Sequence, residues 1–343
     1  MCMNLMTPFS YKGLELKNKI LMPPMCQFQV TAKDGIPNEW HYVHYVSRAI
    51  GGAGLIIIEM TDVEPDGRIT DRDLGIWSDS HIEPFRRIIE QCHQYGAKVA
   101  IQIAHAGRKA EDAAVPVAPS AIPYSEESKV PRELTVDDIH RLIDQFRAAT
   151  KRAIAAGVDT IELHGAHGYL LHQFQSPYIN HREDEYGKDL ARFGVEVIQA
   201  MKAEMPAEMP LIMRISATEY VEGGYDINYA LQLCERYKEA GVDIFHVSTG
   251  GEGPVLSMFN TGPGYQVKYA EQIRKQLNIP VIAVGALDNP DFANSVIQEE
   301  KADLVAVGRG MLHDPYWAHH AAVKLGQETQ APGVYQDHMK QRV

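Results

Sequence analysis

Apolar residues fall into two alternating patterns along this chain. Short runs rich in β-branched residues predict strands buried on both faces, and longer stretches with apolar residues every three to four positions predict amphipathic helices. The expected strands are Lys19–Pro23, Leu55–Met60, Lys98–Ala104, Thr160–Gly165, Leu211–Ser216, Ile244–Ser248, Val281–Gly285 and Leu304–Gly308. Helical patterns follow them in turn, at Trp40–Ile50, Ile82–Tyr95, Val136–Ala155, Phe193–Met205, Tyr229–Ala240, Val267–Leu277, Phe292–Glu299 and Pro315–Leu325. In the second helix Ile82, Phe85, Ile88, Ile89 and Cys92 share one face. The third is led by Thr135, whose hydroxyl can cap it, with Asp138 three residues on.

Several junctions echo one another. Ala156-Gly157-Val158-Asp159, Ala240-Gly241-Val242-Asp243 and Lys301-Ala302-Asp303 each end a helix just before a strand, and Gly supplies a left-handed cap in two of them. Short loops recurring at one stage of each unit predict an eightfold βα repeat. None of the strands carries edge chemistry, no Gly-x-Gly-x-x-Gly follows an early strand, and no Pro/Ser-rich linker divides the chain. The expected architecture is a single (β/α)8 TIM barrel, one domain over residues 1–343, with a short N-terminal hairpin between Met6 and Lys19. The longest connection runs from Arg108 to Glu133 after the third strand, a length that points to function or mobility.

Composition narrows the partners. The chain is 45% hydrophobic and 23% charged, with a formal net charge of −12 and no Lys/Arg run, so neither nucleic acid nor an anionic membrane is an expected partner. The start of the chain lacks a signal-peptide pattern, and the longest apolar run, Leu55–Ile58, is far too short to span a bilayer. Cys2, Cys26, Cys92 and Cys234 lie far apart, as expected of reduced thiols in the cytoplasm.

In such a barrel, reactive groups gather at the C-terminal ends of the strands. Those ends hold Pro24, Met25 and Cys26, then Met60, Gln102 and His105, then His164 and His167, with Arg214 in the fifth strand and Gly285, Gly308 and Arg309 at the last two. The two glycines and the forked Arg309 donor suit a phosphate, although tight turns and a surface ion pair would use the same residues. His164-Gly-Ala-His167-Gly-Tyr169 brings two imidazoles and a phenol to one strand end, where they could bind a carbonyl or anion and donate a proton. Gln102 needs a buried partner, either a heterocycle edge or a neighbouring backbone group. Cys26 is a small core residue or a cofactor contact. Arg214 in a barrel strand needs an anion or an electron-rich ring. A metal centre on His164, His167 and His105 would lack carboxylate support, because no Asp or Glu ends strands five to eight; no metal is expected.

At this point the residues match a known family. The chain resembles the old yellow enzyme family of FMN-dependent oxidoreductases, in its bacterial thermophilic-like NADPH dehydrogenase branch, from about Thr7 to Leu325. The resemblance is carried in order by Leu16-Lys-Asn-Lys-Ile20, Pro24-Met25-Cys26, Gly67-Arg-Ile-Thr-Asp71, Asp73-Leu-Gly-Ile-Trp-Ser-Asp79, Gln102-Ile-Ala-His-Ala-Gly-Arg-Lys109, the His164 to Tyr169 cluster, Ser176-Pro177, Asn180-His-Arg182, Asp184-Glu-Tyr-Gly187 and Gly308-Arg309. It implies that Pro23, Pro24, Met25 and Cys26 line the flavin and that Met60 lies beside it. Gln102 would bond its pyrimidine edge, Arg214 would stabilise the reduced ring, and Gly285, Gly308 and Arg309 would hold the phosphate. His164 and His167 would bind the substrate carbonyl, Phe28 would face the substrate, Tyr169 would donate the proton, and Cys26 would tune the flavin. The implied activity is an ene-reductase: hydride passes from NADPH or NADH through FMN to the C=C bond of an α,β-unsaturated carbonyl or nitro compound. A homo-oligomer, dimer or tetramer, is implied as well. Alternatives of another class are a metal-dependent hydrolase or lyase, and a flavin-binding protein without alkene turnover. The chain departs from the branch at Phe28, where Tyr is usual, and after Gly187, where Lys188-Asp-Leu-Ala-Arg192 is shorter. The tail from Tyr335 to Arg342 places no arginine clearly enough to take over a role in a neighbouring subunit's site.

Overall fold

The computed structural model describes residues 3–253 and 262–335; Cys2 and the tail from residue 336 onward lie outside the described residues. Eight parallel strands close on themselves: β1 (Ile20–Met22), β2 (Leu55–Asp62), β3 (Lys98–Ala104), β4 (Thr160–Gly165), β5 (Leu211–Ser216), β6 (Ile244–Ser248), β7 (Val281–Val284) and β8 (Leu304–Ala306). Closure is made by β8 against β1, with Val305 opposite Ile20 and Ala306 opposite Leu21, and by β1 against β2, with Leu21 opposite Leu55. The helices that follow them are α1 (Glu39–Ile50), α2 (Ile82–Gln94), α3 (Val136–Ala156), α4 (Arg192–Lys202), α5 (Ile227–Ala240), α6 (Val267–Leu277), α7 (Pro290–Gln298) and α8 (Trp317–Lys324). This is the (β/α)8 barrel that the alternating patterns predict.

The differences lie at element ends. Strand β2 runs on to Asp62, while β7 and β8 stop at Val284 and Ala306, leaving Gly285 and Gly308 in the loops beyond. Helices α5 and α7 begin earlier than their apolar pattern because Asp226 and Asn289 cap them through side-chain oxygens. Thr135 caps α3 in a reciprocal box with Asp138. Three short helices, Leu170–Gln175, Glu185–Lys188 and Arg309–His313, are too brief to leave a periodic signal.

The repeated junctions have a physical basis. Asp159, which precedes β4, accepts the Val99 N–H of β3 at 2.8 Å. Asp243, before β6, accepts the Leu211 N–H of β5 at 2.9 Å, and Asp303, before β8, accepts the Val281 N–H of β7 at 3.0 Å. Each Asp thus bolts the incoming strand to its neighbour. The αβ turns carry φ of 98° at Gly157 and 126° at Gly241; the third places Glu300 at 54° instead.

Side chains alternate across each strand, so every second residue points into the barrel. The lower interior is apolar, built from Leu21, Leu55, Ala100, Ile212, Ile244, Ile282 and Leu304. Phe9, Leu14 and Leu16 of the N-terminal hairpin (Phe9–Tyr11 against Leu14–Leu16) join that cluster and close the bottom. One step of two residues up the same strands, Ala100 gives way to Gln102, Ile212 to Arg214 and Ile244 to His246. A bulge in β2 shifts the register between Ile58 and Met60. It sets Met60 opposite Gln102 and leaves Glu59 bonded to the Tyr45 hydroxyl of α1 at 2.9 Å. Among the described residues no helix is long and apolar enough to cross a membrane.

Candidate active site

The polar layer inside the barrel is buried and only partly satisfied. Glu162 of β4 accepts the Gln102 amide N–H at 2.7 Å and the His246 Nδ1–H at 2.6 Å. Gln102 therefore bonds a side chain, not the neighbouring backbone group that was its simpler alternative. Arg214 Nε and His246 Nε2 find no partner among the described residues. Burial lowers the Arg214 pKa from its usual value, with Glu162 acting in the opposite sense. A guanidinium held in a barrel without a full set of acceptors is poised for a ligand that supplies them.

Above this layer, at the end of β4, the His164 and His167 rings stand 5.2 Å apart edge to face, and the Tyr169 ring is 4.9 Å from His164. Burial first, then the Arg214 charge, push both histidines well below their ordinary pKa, so both are neutral near pH 7. His164 Nδ1 accepts the Ala166 N–H at 3.2 Å, which leaves its proton on Nε2 as a donor. His167 Nε2 lies 2.7 Å from Ser248 Oγ, whose own proton goes to Gln266 Oε1 at 3.2 Å. The His167 proton is thus directed at Ser248, and a donor role toward substrate requires that pair to open. Burial pushes the Tyr169 phenol upward, with Cys26, Asp73 and Asp62 adding to it, so the proton stays on the oxygen.

The turn that aims these groups is strained. His167 and Gly168 have φ of 60° and 73°, consecutive left-handed residues of which only one is glycine. Ser216 Oγ accepts the His167 N–H at 3.1 Å, and Lys109 Nζ donates to the His167 carbonyl at 2.8 Å and the Gly251 carbonyl at 2.6 Å. His172 Nδ1 accepts the Gly168 N–H and the Gln173 amide donates to the Gly168 carbonyl, both at 2.8 Å.

The remaining sequence candidates converge from two sides. Cys26 and Tyr169 pack on one small apolar cluster with Met60, Ile69 and Ala104. Burial, then Glu59, Asp73 and Asp62, raise the Cys26 thiol well above its usual pKa, so it is a thiol and not a thiolate. Glu59, the buried acid behind it, is itself raised to about 8 by burial. Pro24 is buried beside them, and a methyl group on Gly308 would come within 3.4 Å of Met25 and 3.5 Å of Pro23, so the β1 and β8 loops adjoin. Gly285 takes φ of 122° and Ala286 50°. Gly308 and Arg309 open the short helix, whose Gly310 N–H is already accepted by Asp288 at 2.9 Å. Exposed Arg309 lines a cavity of about 570 Å³ with Ala286 and Trp317. Phe28 is 37% exposed with φ of 53°.

The metal set proposed from sequence is not assembled. His105 Nε2 is 2.9 Å from Glu64, and its Nδ1 accepts the Gly107 N–H at 2.9 Å, so both nitrogens are engaged elsewhere. No Asp or Glu closes strands five to eight, as the sequence reading held, yet the loops further on do supply carboxylates. Glu219 and Glu252, in the loops after β5 and β6, lie buried around His172 and form a group able to hold a metal ion. Arg108 donates to Glu252 at 2.9 Å, and His172 Nδ1 is already in use by Gly168. That cluster therefore reads as a buried ionic tie between loops. Sequence reasoning also missed Glu162, His246, Ser248 and Lys109; the signal for the first three was polarity at inward positions of β4 and β6, and Lys109, in the turn after β3, left none.

The model of the NADH:flavin oxidoreductase / NADH oxidase family matches residues 4–328, so the chain belongs to that family. It is an FMN-dependent oxidoreductase, as the motifs led one to expect. Among curated relatives it is 46% identical to an NADPH dehydrogenase of Bacillus velezensis over 98% of this chain and 99% of that one. It is 44% identical to an NADPH dehydrogenase of Bacillus subtilis, over 98% and 99%. The fold superposes on morphinone reductase with a TM-score of 0.80 at 27% identity, covering 95% of this chain and 90% of the other. A 2-naphthoyl-CoA reductase shares the fold with a TM-score of 0.88 at 24% identity, over 95% of this chain and 53% of that one.

Proposed function

We propose that this protein is an NADPH-dependent ene-reductase acting on α,β-unsaturated carbonyl or nitro compounds. The observation that carries this reading is the convergence of His164, His167 and Tyr169 at the barrel mouth, above Arg214, whose Nε has no partner among the described residues. The residues present fit FMN: the orphaned Arg214 Nε and the buried Gln102 would meet the polar edge of its ring, Met60 and Pro23 to Cys26 would line it, and Gly285, Gly308 and Arg309 would hold its phosphate. When bound, FMN accepts hydride from the nicotinamide and delivers it to the alkene.

The chain's own residues do the rest. The His164 Nε2–H donates to the substrate carbonyl or nitro oxygen and stabilises the negative charge that grows there. His167 adds a second donor once it leaves Ser248. Tyr169, held as a phenol, protonates the carbon next to the activating group. The apolar patch of Met60, Ile69 and Ala104 keeps water from the reacting bond. NADPH rather than NADH is proposed from the relatives' names. One catalytic domain, from the unbroken eightfold repeat, a cytoplasmic setting, from the scattered cysteines, and a homo-oligomeric assembly, from the family resemblance, belong to the same proposal.

The test is anaerobic. The FMN-loaded protein bleaches on NADPH and regains colour on 2-cyclohexenone; a bleached protein that no enone or nitroalkene reoxidises would leave a flavoprotein without alkene turnover.

A further inference from the structure

We infer that Glu162 is a positioning residue that decides which ends of Gln102 and His246 face the cofactor, and that its charge sets the balance between oxidised and reduced flavin. The inference rests on the reading that this mouth holds FMN through Gln102 and Arg214.

Glu162 lies on the inward face of β4, fully buried, opposite Gln102 of β3 on one side and Ile212 of β5 on the other. An ionised carboxylate only accepts hydrogen bonds. One oxygen of Glu162 is 2.7 Å from the Gln102 amide nitrogen and the other is 2.6 Å from His246 Nδ1. Both neighbours are thereby oriented. Gln102 must turn its NH2 group toward Glu162 and its carbonyl away from it. His246 must carry its proton on Nδ1, which makes Nε2 a lone pair, and that atom has no partner among the described residues. Burial lowers the His246 pKa against the opposing pull of Glu162, with Arg214 adding to burial, so the imidazole is neutral near pH 7.

The inner layer therefore presents two acceptors, the Gln102 carbonyl and His246 Nε2, beside one strong donor, Arg214. A ring edge with one N–H flanked by C=O groups meets the Gln102 carbonyl and the Arg214 donor, and the pyrimidine edge of FMN is one. Without Glu162 the amide could face either way, and a turned amide would set its NH2 group against the ring N–H. The carboxylate also balances the Arg214 guanidinium, which registers against His246 and His164 on either side. Removing the carboxylate leaves a net positive charge beside the ring, which favours the reduced, anionic form.

The experiment compares wild-type holoenzyme with Glu162→Gln, an isosteric change that deletes the charge. FMN binding is followed by fluorescence on reconstitution, and the midpoint potential by equilibration with a redox dye. Oxidised FMN should bind roughly tenfold more weakly, about 1.4 kcal/mol, because the freed amide no longer holds its carbonyl toward the ring N–H. Reduced FMN should gain about tenfold relative to oxidised FMN, a positive shift of about 30 mV for a two-electron couple. An unchanged potential and an unchanged FMN affinity in a folded variant overturn the inference. If E162Q does not fold, nitrogen-15 NMR of histidine in the wild-type holoenzyme decides: His246 must be the neutral Nδ1–H tautomer, and an Nε2–H or cationic ring overturns the inference. A wild-type protein that takes up no FMN refutes the cofactor reading beneath it, which is a different outcome from either.

Discussion

Lys109→Met tests whether the strained turn under the catalytic rings needs its clamp. The ammonium bonds two half-buried carbonyls, of His167 at 2.8 Å and Gly251 at 2.6 Å. Each bond to a charged group contributes about 1.5–3 kcal/mol. Burial of the ammonium works against that sum: its pKa falls from 10.5 to about 8. At about 1.4 kcal/mol per unit this offsets roughly 3 kcal/mol. The net loss of global stability is then small, at most about 3 kcal/mol. The local effect is larger in proportion, because a left-handed non-glycine residue costs about 1–3 kcal/mol and holds only while its surroundings impose it. Once His167 relaxes, its ring and the Tyr169 phenol lose their aim, and alkene reduction should slow by about 10- to 100-fold. Anaerobic stopped-flow separates the half-reactions. Reduction of the flavin by NADPH, which needs no proton from Tyr169, should slow much less. Urea denaturation measures the stability change. A folded K109M protein whose alkene step stays within a factor of two of wild type refutes the clamp.

Other outcomes follow from the same geometry. Tyr169→Phe should leave flavin reduction by NADPH intact and slow alkene reduction by about 100-fold; equal rates in both half-reactions would remove Tyr169 from the proton transfer. Ser248→Ala frees His167 Nε2 from its 2.7 Å partner, so phenolic ligands should bind about fivefold tighter in a flavin-absorbance titration, about 1 kcal/mol; weaker binding would mean that Ser248 orients the ring productively. Glu59 has a native pKa raised from 4.5 to about 8 by burial. Its stabilising contribution is complete below the unfolded value and is lost as pH rises to the folded one. Stability of wild type relative to Glu59→Gln should therefore fall by about 1.4 kcal/mol per pH unit between roughly pH 4.5 and 8 and level off above; a difference independent of pH in urea titrations would show that Glu59 is ionised when folded.

Much of the fold was legible because burial leaves a local trace. Leu55–Ile58 reads as a two-sided buried strand, and Thr135 with Asp138 reads as a helix start, from neighbours alone. The His164 to Tyr169 cluster was legible for a similar reason, since one strand end and its turn carry all three groups. The bulge at Glu59 was not. It depends on how β2 pairs with β3, and it alone sets Met60 opposite Gln102 and leaves Glu59 to Tyr45. Strand ends at Gly285 and Gly308 were overextended, because glycine after an apolar run marks a turn without saying which residue last joins the ladder.

The amino-acid order alone determined the eight-unit barrel, the strand ends that carry chemistry and the residue types gathered there. Periodicity and capping act over a few residues, and those are contained in the chain itself. Only the tertiary structure decided the partners. Glu162 meets Gln102 and His246 from positions 60 and 84 residues away, and Lys109 reaches His167 and Gly251 across 58 and 142. Hydrogen bonds are short and directional, so who bonds whom, which nitrogen keeps the proton and which guanidinium waits for a ligand are settled by where barrel closure brings the strands together.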